Sequence, residues 1–153
     1  CFLDGKMGYW VWLIKFYLIY MIQNKYPSFE NNTERCVLAG LVRSGESRWQ
    51  LEDQLKELQA LAKTSGAFVI ETFIQERTAP DPAYFIGKGK IEEIRLFVEM
   101  NEVNLVIFDD ELSPAQARNI ANALSVKVVD RPALILDIFA MHARSRQTRL
   151  QVE

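Results

Sequence analysis

The sequence predicts an α/β domain with a small, mostly parallel four-stranded sheet flanked by helices, followed by the start of a long helical arm. Short apolar runs alternate with longer amphipathic segments along the chain, which is the pattern of right-handed β-α-β crossovers. The runs contain few polar positions, as expected for strands that are buried on both faces. The last segment keeps a helical pattern up to residue 153.

Four apolar runs predict the strands, at residues 36–42, 67–74, 105–108 and 126–129. Ser47 and Ser113 are typical N-cap residues, and we expect a helix to begin after each of them. Gly66 is a typical residue at a helix C-terminus and closes the first helix. Two more helices are expected, at residues 90–100 and from Ala133 onward.

We divide the chain into an apolar segment with a linker (1–35), an α/β subdomain (36–132) and the start of the helical arm (133–153). Residues 9–22 are almost wholly apolar, interrupted by Lys15. This fits a membrane anchor, a buried or partner-binding helix, or sequence foreign to the domain. The third interpretation is favoured because the α/β pattern reads as complete without it. With no Met at position 1 and no helix stop signal at the end, we expect a piece of a longer protein.

Composition narrows the class of protein. The chain is 49% hydrophobic and 25% charged, as in ordinary globular domains. Its net charge of −2 means that any contact with nucleic acid must come from a local basic patch. Cys1 and Cys36 form no metal-binding or disulfide pattern, which favours a cytoplasmic setting.

Gly87, Lys88, Gly89 and Lys90 lie at a predicted turn from a strand into a helix. Free N–H groups and the helix dipole can hold an anion there. The stretch is not a P-loop, because the string Gly-x-x-x-x-Gly-Lys-Ser/Thr is absent from the chain. It is not a dinucleotide fingerprint either, since Glu92 occupies the third glycine position. On motif grounds alone, a tight turn with two solvated lysines is preferred to a phosphate contact.

Asp109, Asp110 and Glu111 follow a predicted strand and could bind Mg²⁺. No phosphate-binding loop accompanies them, so we favour a solvated loop in which a carboxylate caps the Ser113 helix, and we predict no metal site. His142 is the only histidine and has no catalytic partner in view. No catalytic residue is therefore predicted.

The last helix carries four basic or titratable side chains, at His142, Arg144, Arg146 and Arg149. No acid lies among them between Asp137 and Glu153. A helix with such a face can follow a phosphate backbone. The structural alternative is a solvated surface whose acidic partners lie in a continuation of the chain.

Several separate motifs resemble the N-terminal domain of HflX-type ribosome-associated GTPases. The matching stretches occur in the family's order within residues 36–153, at 82–90, 108–116, 129–131, 136–140 and 150–153. The first two read Pro-Ala-Tyr-Phe-Ile-Gly-Lys-Gly-Lys and Phe-Asp-Asp-Glu-Leu-Ser-Pro-Ala-Gln. Residues 1–35 do not resemble the family.

The resemblance implies an α/β subdomain, then long helices, then a separate GTPase domain that binds GTP and Mg²⁺. It also implies that this N-terminal region docks on the large ribosomal subunit, reaches its rRNA with the helical arm, helps to split stalled ribosomes and modulates GTP binding. We expect a monomeric domain that holds no cofactor and does not itself hydrolyse GTP. Its expected partners are the large ribosomal subunit, rRNA and its own GTPase domain.

The expected location is the cytoplasm, in association with ribosomes or peripherally with a membrane, and no membrane partner is favoured. The expected RNA- or phosphate-binding residues are Gly87, Lys88, Gly89, Lys90, Arg131, Arg144, Arg146 and Arg149. Two alternatives stay open: a nucleotide-binding α/β domain with its own phosphate pocket at residues 87–90, and a membrane-anchored adaptor that uses residues 9–22.

Overall fold

The computed structural model describes residues 34–152. The elements, in chain order, are β1 (Arg35–Val42), α1 (Arg48–Thr64), β2 (Phe68–Glu76), α2 (Lys88–Met100), β3 (Leu105–Phe108), α3 (Pro114–Leu124), β4 (Lys127–Asp130) and α4 (Arg131–Val152). The apolar stretch at residues 9–22 lies outside the described residues. Among residues 34–152, no helix combines the length and apolar character that a membrane span requires.

All four strands pair in parallel, in the order β2-β1-β3-β4. The predicted α/β class, with a four-stranded parallel sheet and a long final helix, is confirmed. The winding direction reverses at β1, because β2 is added on one side of this strand and β3 on the other. The crevice between the carboxyl ends of β1 and β3 is therefore the topological switch point, where sheets of this kind usually bind ligands.

The two faces of the sheet bury different helices. Val37, Ala39 and Leu41 in β1 belong to one core cluster. The helix side chains in this cluster come from α2 and α3 and are Ile91, Ile94, Val98, Ile120 and Leu124. Gly40 faces the other side, where a Cβ atom would lie 3.1 Å from the terminal methyl carbons of Leu51 in α1. The alternation of a strand thus puts α2 and α3 on one face, and α1 on the other together with its neighbour α4.

The helix signals in the sequence explain most of the helix ends. Ser113 Oγ accepts a hydrogen bond from the Gln116 N–H at 3.1 Å, and Gln116 Oε1 accepts from the Ser113 N–H at 3.0 Å. This reciprocal capping box, with Pro114 in the first turn, fixes the start of α3 as predicted. At the end of α1, Gly66 adopts a positive φ of 93°, which a glycine accommodates without a Cβ clash.

Two helices begin earlier than predicted. Helix α2 starts at Lys88 instead of residue 90, because Gly87 has extended dihedral angles and acts as the N-cap. Helix α4 starts at Arg131 instead of Ala133, since a proline at residue 132 is compatible with a first helical turn. As a result, three residues of the predicted glycine-lysine turn, Lys88, Gly89 and Lys90, belong to the helix itself.

Helix α4 leaves the sheet after its first turns. Its buried residues are Ala133 and Leu134, and every described residue from His142 onward is exposed. Asp137 interacts electrostatically with Lys127 at the amino end of β4, so the helix has reached that edge of the sheet by then. We call residues 142–152 the projecting segment, about 16 Å long at 1.5 Å per residue, and residues 34–141 the α/β body.

Candidate functional site

The loop between β2 and α2 carries the first motif of the resemblance and is held rigidly. Asp81 Oδ1 accepts hydrogen bonds from the N–H groups of Ala83 and Tyr84, each at 2.8 Å. These backbone donors lower the pKa of Asp81. The buried ring of Phe85 packs edge-on against Phe108, with 6.1 Å between ring centroids, and the Phe85 backbone has a positive φ of 65°. Packing and the turn of Asp81 together hold this unfavourable backbone conformation.

Helix α3 holds the same loop from the other side. Gln116 Nε2 donates to the carbonyl oxygen of Asp81 at 2.9 Å, and Asn119 Nδ2 donates to that of Ala83 at 3.1 Å. Gln116 belongs to the second motif of the resemblance. Two motifs that are distant in sequence therefore form one structural unit, in which the polar side chains satisfy backbone groups of a loop.

The glycine-lysine turn is largely engaged in internal contacts. The Gly87 N–H donates to Gln75 Oε1 at 2.7 Å, and a Cβ atom at Gly87 would lie 2.7 Å from Arg77 Nη1. Lys90 Nζ pairs with Glu93 Oε2 at 2.7 Å. Lys88 is exposed. These contacts favour the tight-turn interpretation, whereas phosphate binding at residues 87–90 stays a prediction.

Two carboxylates of the acidic loop after β3 pair with arginines. Arg131 Nη1 lies 2.9 Å from Asp109 Oδ1, and its Nη2 lies 3.0 Å from Glu57 Oε2. Arg43 Nη2 pairs with Asp110 Oδ1 at 3.1 Å. Burial raises the pKa of the Asp109 carboxyl, while the Arg131 guanidinium opposes this rise. The sequence predicts that Arg131 contacts phosphate; its guanidinium pairs with two carboxylates of the chain, and phosphate binding by Arg131 stays a prediction.

The resemblance assigns GTP and Mg²⁺ to a separate GTPase domain and not to this part of the chain. Within residues 34–152, no group of three or more His, Cys, Asp or Glu side chains is arranged to hold a metal ion. Asp109 and Asp110 are held by arginines, and the chain lacks a P-loop string.

Asp130 has a structural role that the sequence analysis missed. This buried carboxylate accepts the Ala133 N–H through Oδ1 at 3.0 Å and so caps α4. Its Oδ2 accepts the Leu112 N–H at 3.1 Å, which ties the loop after β3 to the end of β4. The sequence predicts Ser113 as the N-cap of α3, together with a capping carboxylate from residues 109–111; Ser113 caps the helix, in a reciprocal box with Gln116. An aspartate before Arg-Pro is a typical N-cap signal and could have been found.

The basic residues of the projecting segment do not form one face. His142, Arg146 and Arg149 are spaced by four and three residues, so they share a side of the helix. Arg144 lies two residues from Arg146 and points to the opposite side, where its charge acts on Asp137. Within residues 34–152, no ion pair includes any of the three arginines.

The predicted phosphate contacts therefore occupy two separate places. Lys88 lies where α2 begins, on the side of the sheet at which the strands end, and its charge acts on Asp81. Arg146 and Arg149 lie in the projecting segment, past the edge at which the strands begin. The structure does not bring these two groups into one surface, and RNA contact by either of them stays a prediction.

The parallel α/β layer, the motif-bearing loop and the long final helix define a class of protein, an N-terminal domain of GTP-binding proteins. A family model described as "GTP-binding GTPase N-terminal" matches residues 52–140, which is more than half of the chain. The chain belongs to this family. Similarity to proteins named GTPase HflX confirms the more particular resemblance, to the N-terminal domain of HflX-type GTPases.

The chain corresponds to only part of the length of each relative. GTPase HflX of Flavobacterium psychrophilum is 43% identical over 122 residues, which cover 80% of this chain and 30% of the relative. The Caldanaerobacter subterraneus protein is 48% identical over 120 residues, covering 78% of this chain and 27% of the relative. The Escherichia coli protein is 42% identical over 101 residues, covering 66% and 24%. The chain thus spans less than a third of the length of these relatives.

Solved structures agree on the fold. The crystal structure of an SsGBP and GDP complex superimposes with a TM-score of 0.59 at 22% identity, covering 78% of this chain and 33% of that chain. A GTP-binding protein from Sulfolobus solfataricus in complex with GDP gives a TM-score of 0.50 at 24% identity, covering 68% of this chain and 30% of that chain. At these identities the similarity concerns the architecture alone.

Proposed function

We propose that this chain is the ribosome- and RNA-binding regulatory domain of an HflX-type GTPase. The observation that carries the proposal is the projecting segment. It contains three exposed arginines and no acid, in a chain whose net charge is −2. A positive segment on an otherwise acidic molecule directs that segment, and not the α/β body, toward a polyanion.

The side chains suit the phosphate groups of RNA. A guanidinium donates paired hydrogen bonds to phosphate oxygens and stays charged at all relevant pH values. Arg146 and Arg149 lie one turn apart on the same side of α4, with no carboxylate of the described residues to occupy them. Two adjacent arginines that are already exposed need no internal ion pair to break before they bind.

The large ribosomal subunit as partner rests on the family resemblance. In this proposal, the projecting segment reaches rRNA of that subunit, and the docked protein helps to split stalled ribosomes. GTP and Mg²⁺ bind in the part of the relatives that this chain does not span, and the α/β body transmits the state of the docked arm to that part. The domain itself does not hydrolyse GTP.

The experiment is a binding titration of the full chain with purified large ribosomal subunits. We expect saturable binding whose affinity falls steeply between about 50 and 200 mM salt, since each neutralised phosphate adds to the salt dependence. Absent binding, or binding that salt does not weaken, would refute the proposal. We expect no GTP binding that depends on Lys88. If GTP bound to the chain and Lys88→Ala abolished that binding, the result would favour the alternative, a phosphate pocket at residues 87–90.

A further inference from the structure

A cleft at the topological switch point is not used by the proposed function. It lies between the carboxyl ends of β1 and β3 and the first turns of α1, with a volume of about 460 Å³. The lining side chains that matter here are Arg43, Glu46, Trp49, Gln50, Asp53 and Asp110. Two segments that are far apart in sequence meet here, residues 41–54 and Asp110 after β3, so the cleft is a product of the fold. We call it the switch-point cleft.

Trp49 is the most unusual residue of this cleft. Its side chain is large and mostly apolar, yet the residue is 63% exposed. The adjacent Leu51 is buried against the sheet, so the tryptophan is not needed for the core. Asp53 lies one helical turn further along the same side of α1. An indole face beside a carboxylate is the arrangement that attracts an organic cation.

The charges of the cleft decide which ligand it fits. Its lining has three carboxylates, those of Glu46, Asp53 and Asp110, against the single guanidinium of Arg43. That guanidinium is already held by Asp110 at 3.1 Å and Glu46 at 3.6 Å, and it lies 5.6 Å from the ring centroid of Phe85. It is therefore not free to bind a phosphate, and the remaining negative charge repels one.

A cationic ligand would have to displace only a weak, exposed ion pair. Asp53 pairs with Lys56 Nζ at 3.0 Å, but the two side chains are 58% and 75% exposed. An exposed pair of this kind contributes little and rearranges readily. The amide side chain of Gln50 adds a donor and an acceptor to the lining, which a peptide backbone can use.

We propose that the switch-point cleft binds an arginine or lysine side chain of a basic protein segment. The cation stacks on the face of Trp49 and shares its charge with Asp53 and Glu46, while the backbone of the segment contacts Gln50. This would give the domain a protein contact at the edge where the strands end, distinct from the RNA contact proposed for the projecting segment.

The test uses the full chain and two matched peptides, acetyl-Gly-Arg-Gly-Arg-Gly-amide and the same peptide with citrulline at both arginines. Citrulline keeps the shape of arginine but lacks its charge. By isothermal titration calorimetry, we expect the arginine peptide to bind at least ten times more tightly than the citrulline peptide. Trp49→Ala and Asp53→Asn should each weaken its binding about five-fold or more.

Phe68→Ala is the matched control, because Phe68 is a similarly exposed aromatic residue, 59% exposed, at the amino end of β2 and outside the cleft. Phe68→Ala should leave peptide binding unchanged. Arg146→Ala/Arg149→Ala should also leave it unchanged, so failure of the cleft proposal can be distinguished from failure of the RNA proposal. Trp49→Phe keeps a ring and should retain part of the affinity. Equal binding of both peptides, no effect of Trp49→Ala, or GMP binding that Trp49→Ala abolishes would overturn the proposal.

Discussion

Three arginines of the α/β body differ from the arginines of the projecting segment in their ion pairs. In the body, Arg43, Arg95 and Arg131 each face two carboxylates, so their charges are neutralised internally. In the projecting segment, the arginines have no ion-pair partner among residues 34–152. An arginine that the fold leaves without a carboxylate has no internal ion pair to break before it binds a partner.

The body also shows what the family motifs do in this chain. Their polar residues hold a loop, cap helices and tie strand ends together, as Gln116 and Asp130 do. Motif residues in the body should therefore change stability more than RNA binding. Substitutions of the arginines in the projecting segment should change RNA binding more than stability.

The largest effect on stability is expected at Asp130. Asp130→Ala removes the N-cap of α4 and leaves the Leu112 N–H without its acceptor. A lost cap costs about 1 kcal/mol and a buried unsatisfied donor about 1–3 kcal/mol, so we expect the free energy of unfolding to fall by about 2–4 kcal/mol. Urea denaturation followed by circular dichroism measures it. Asp130→Asn, which keeps one acceptor, should lose less; a loss below 1 kcal/mol in the alanine variant would contradict the role.

Among the residues of the α/β body, Arg131 distinguishes a structural role from phosphate binding most clearly, because the sequence predicts that it contacts phosphate. Arg131→Ala should leave RNA affinity unchanged and lower the free energy of unfolding by about 1–3 kcal/mol, since Asp109 becomes a buried carboxylate without a partner. The double variant Asp109→Asn/Arg131→Ala should recover part of that stability. Reduced RNA affinity with unchanged stability would show that Arg131 binds phosphate after all.

The pH dependence of the same variant follows from Asp109. Burial already raises the pKa of this carboxyl above its ordinary value of 3.8, and the loss of Arg131 raises it further. A carboxyl with a raised folded-state pKa destabilises the fold above that pKa, and the penalty disappears as pH falls toward the ordinary value. The stability difference between wild type and Arg131→Ala should therefore be full at neutral pH and shrink on acidification. A difference that is independent of pH would contradict this origin.

The smallest effect is expected at Asp137, where α4 reaches the edge of the sheet. Burial raises the pKa of its carboxyl, with Lys127 and Arg144 opposing the rise, and its buried Oδ2 has no hydrogen-bond partner among residues 34–152. The ionised group therefore destabilises the fold above pH 3.8. Asp137→Asn should stabilise the protein at neutral pH by on the order of 0.5–1 kcal/mol, and less at lower pH. A less stable variant at neutral pH would show that the attraction to Lys127 outweighs burial.

The sheet and its helices could be predicted because their signals are local. Apolar runs gave all four strands, and Ser113 and Gly66 marked helix ends through their own chemistry. The spacing of Arg144 and Arg146 could also have shown that they lie on opposite sides of a helix. The change from apolar to basic side chains near His142 indicates where α4 leaves the sheet.

The pairing of charged side chains could not be predicted, because it joins distant parts of the chain. Arg131 lies 22 residues from Asp109 and 74 residues from Glu57, and only the fold brings them together. The switch-point cleft was missed for the same reason, since Trp49 in α1 and Asp110 after β3 meet only once the sheet has formed.

The most direct test of the central claim compares two double variants that remove the same charge. Arg146→Ala/Arg149→Ala alters the projecting segment, and Arg48→Ala/Arg95→Ala alters two paired arginines of the body. The measurement is the salt dependence of binding to large ribosomal subunits. We predict that the first variant binds more weakly and that the slope of log affinity against log salt falls by about one to two, while the second matches wild type. Equal losses in both variants, or none in the first, would contradict the account.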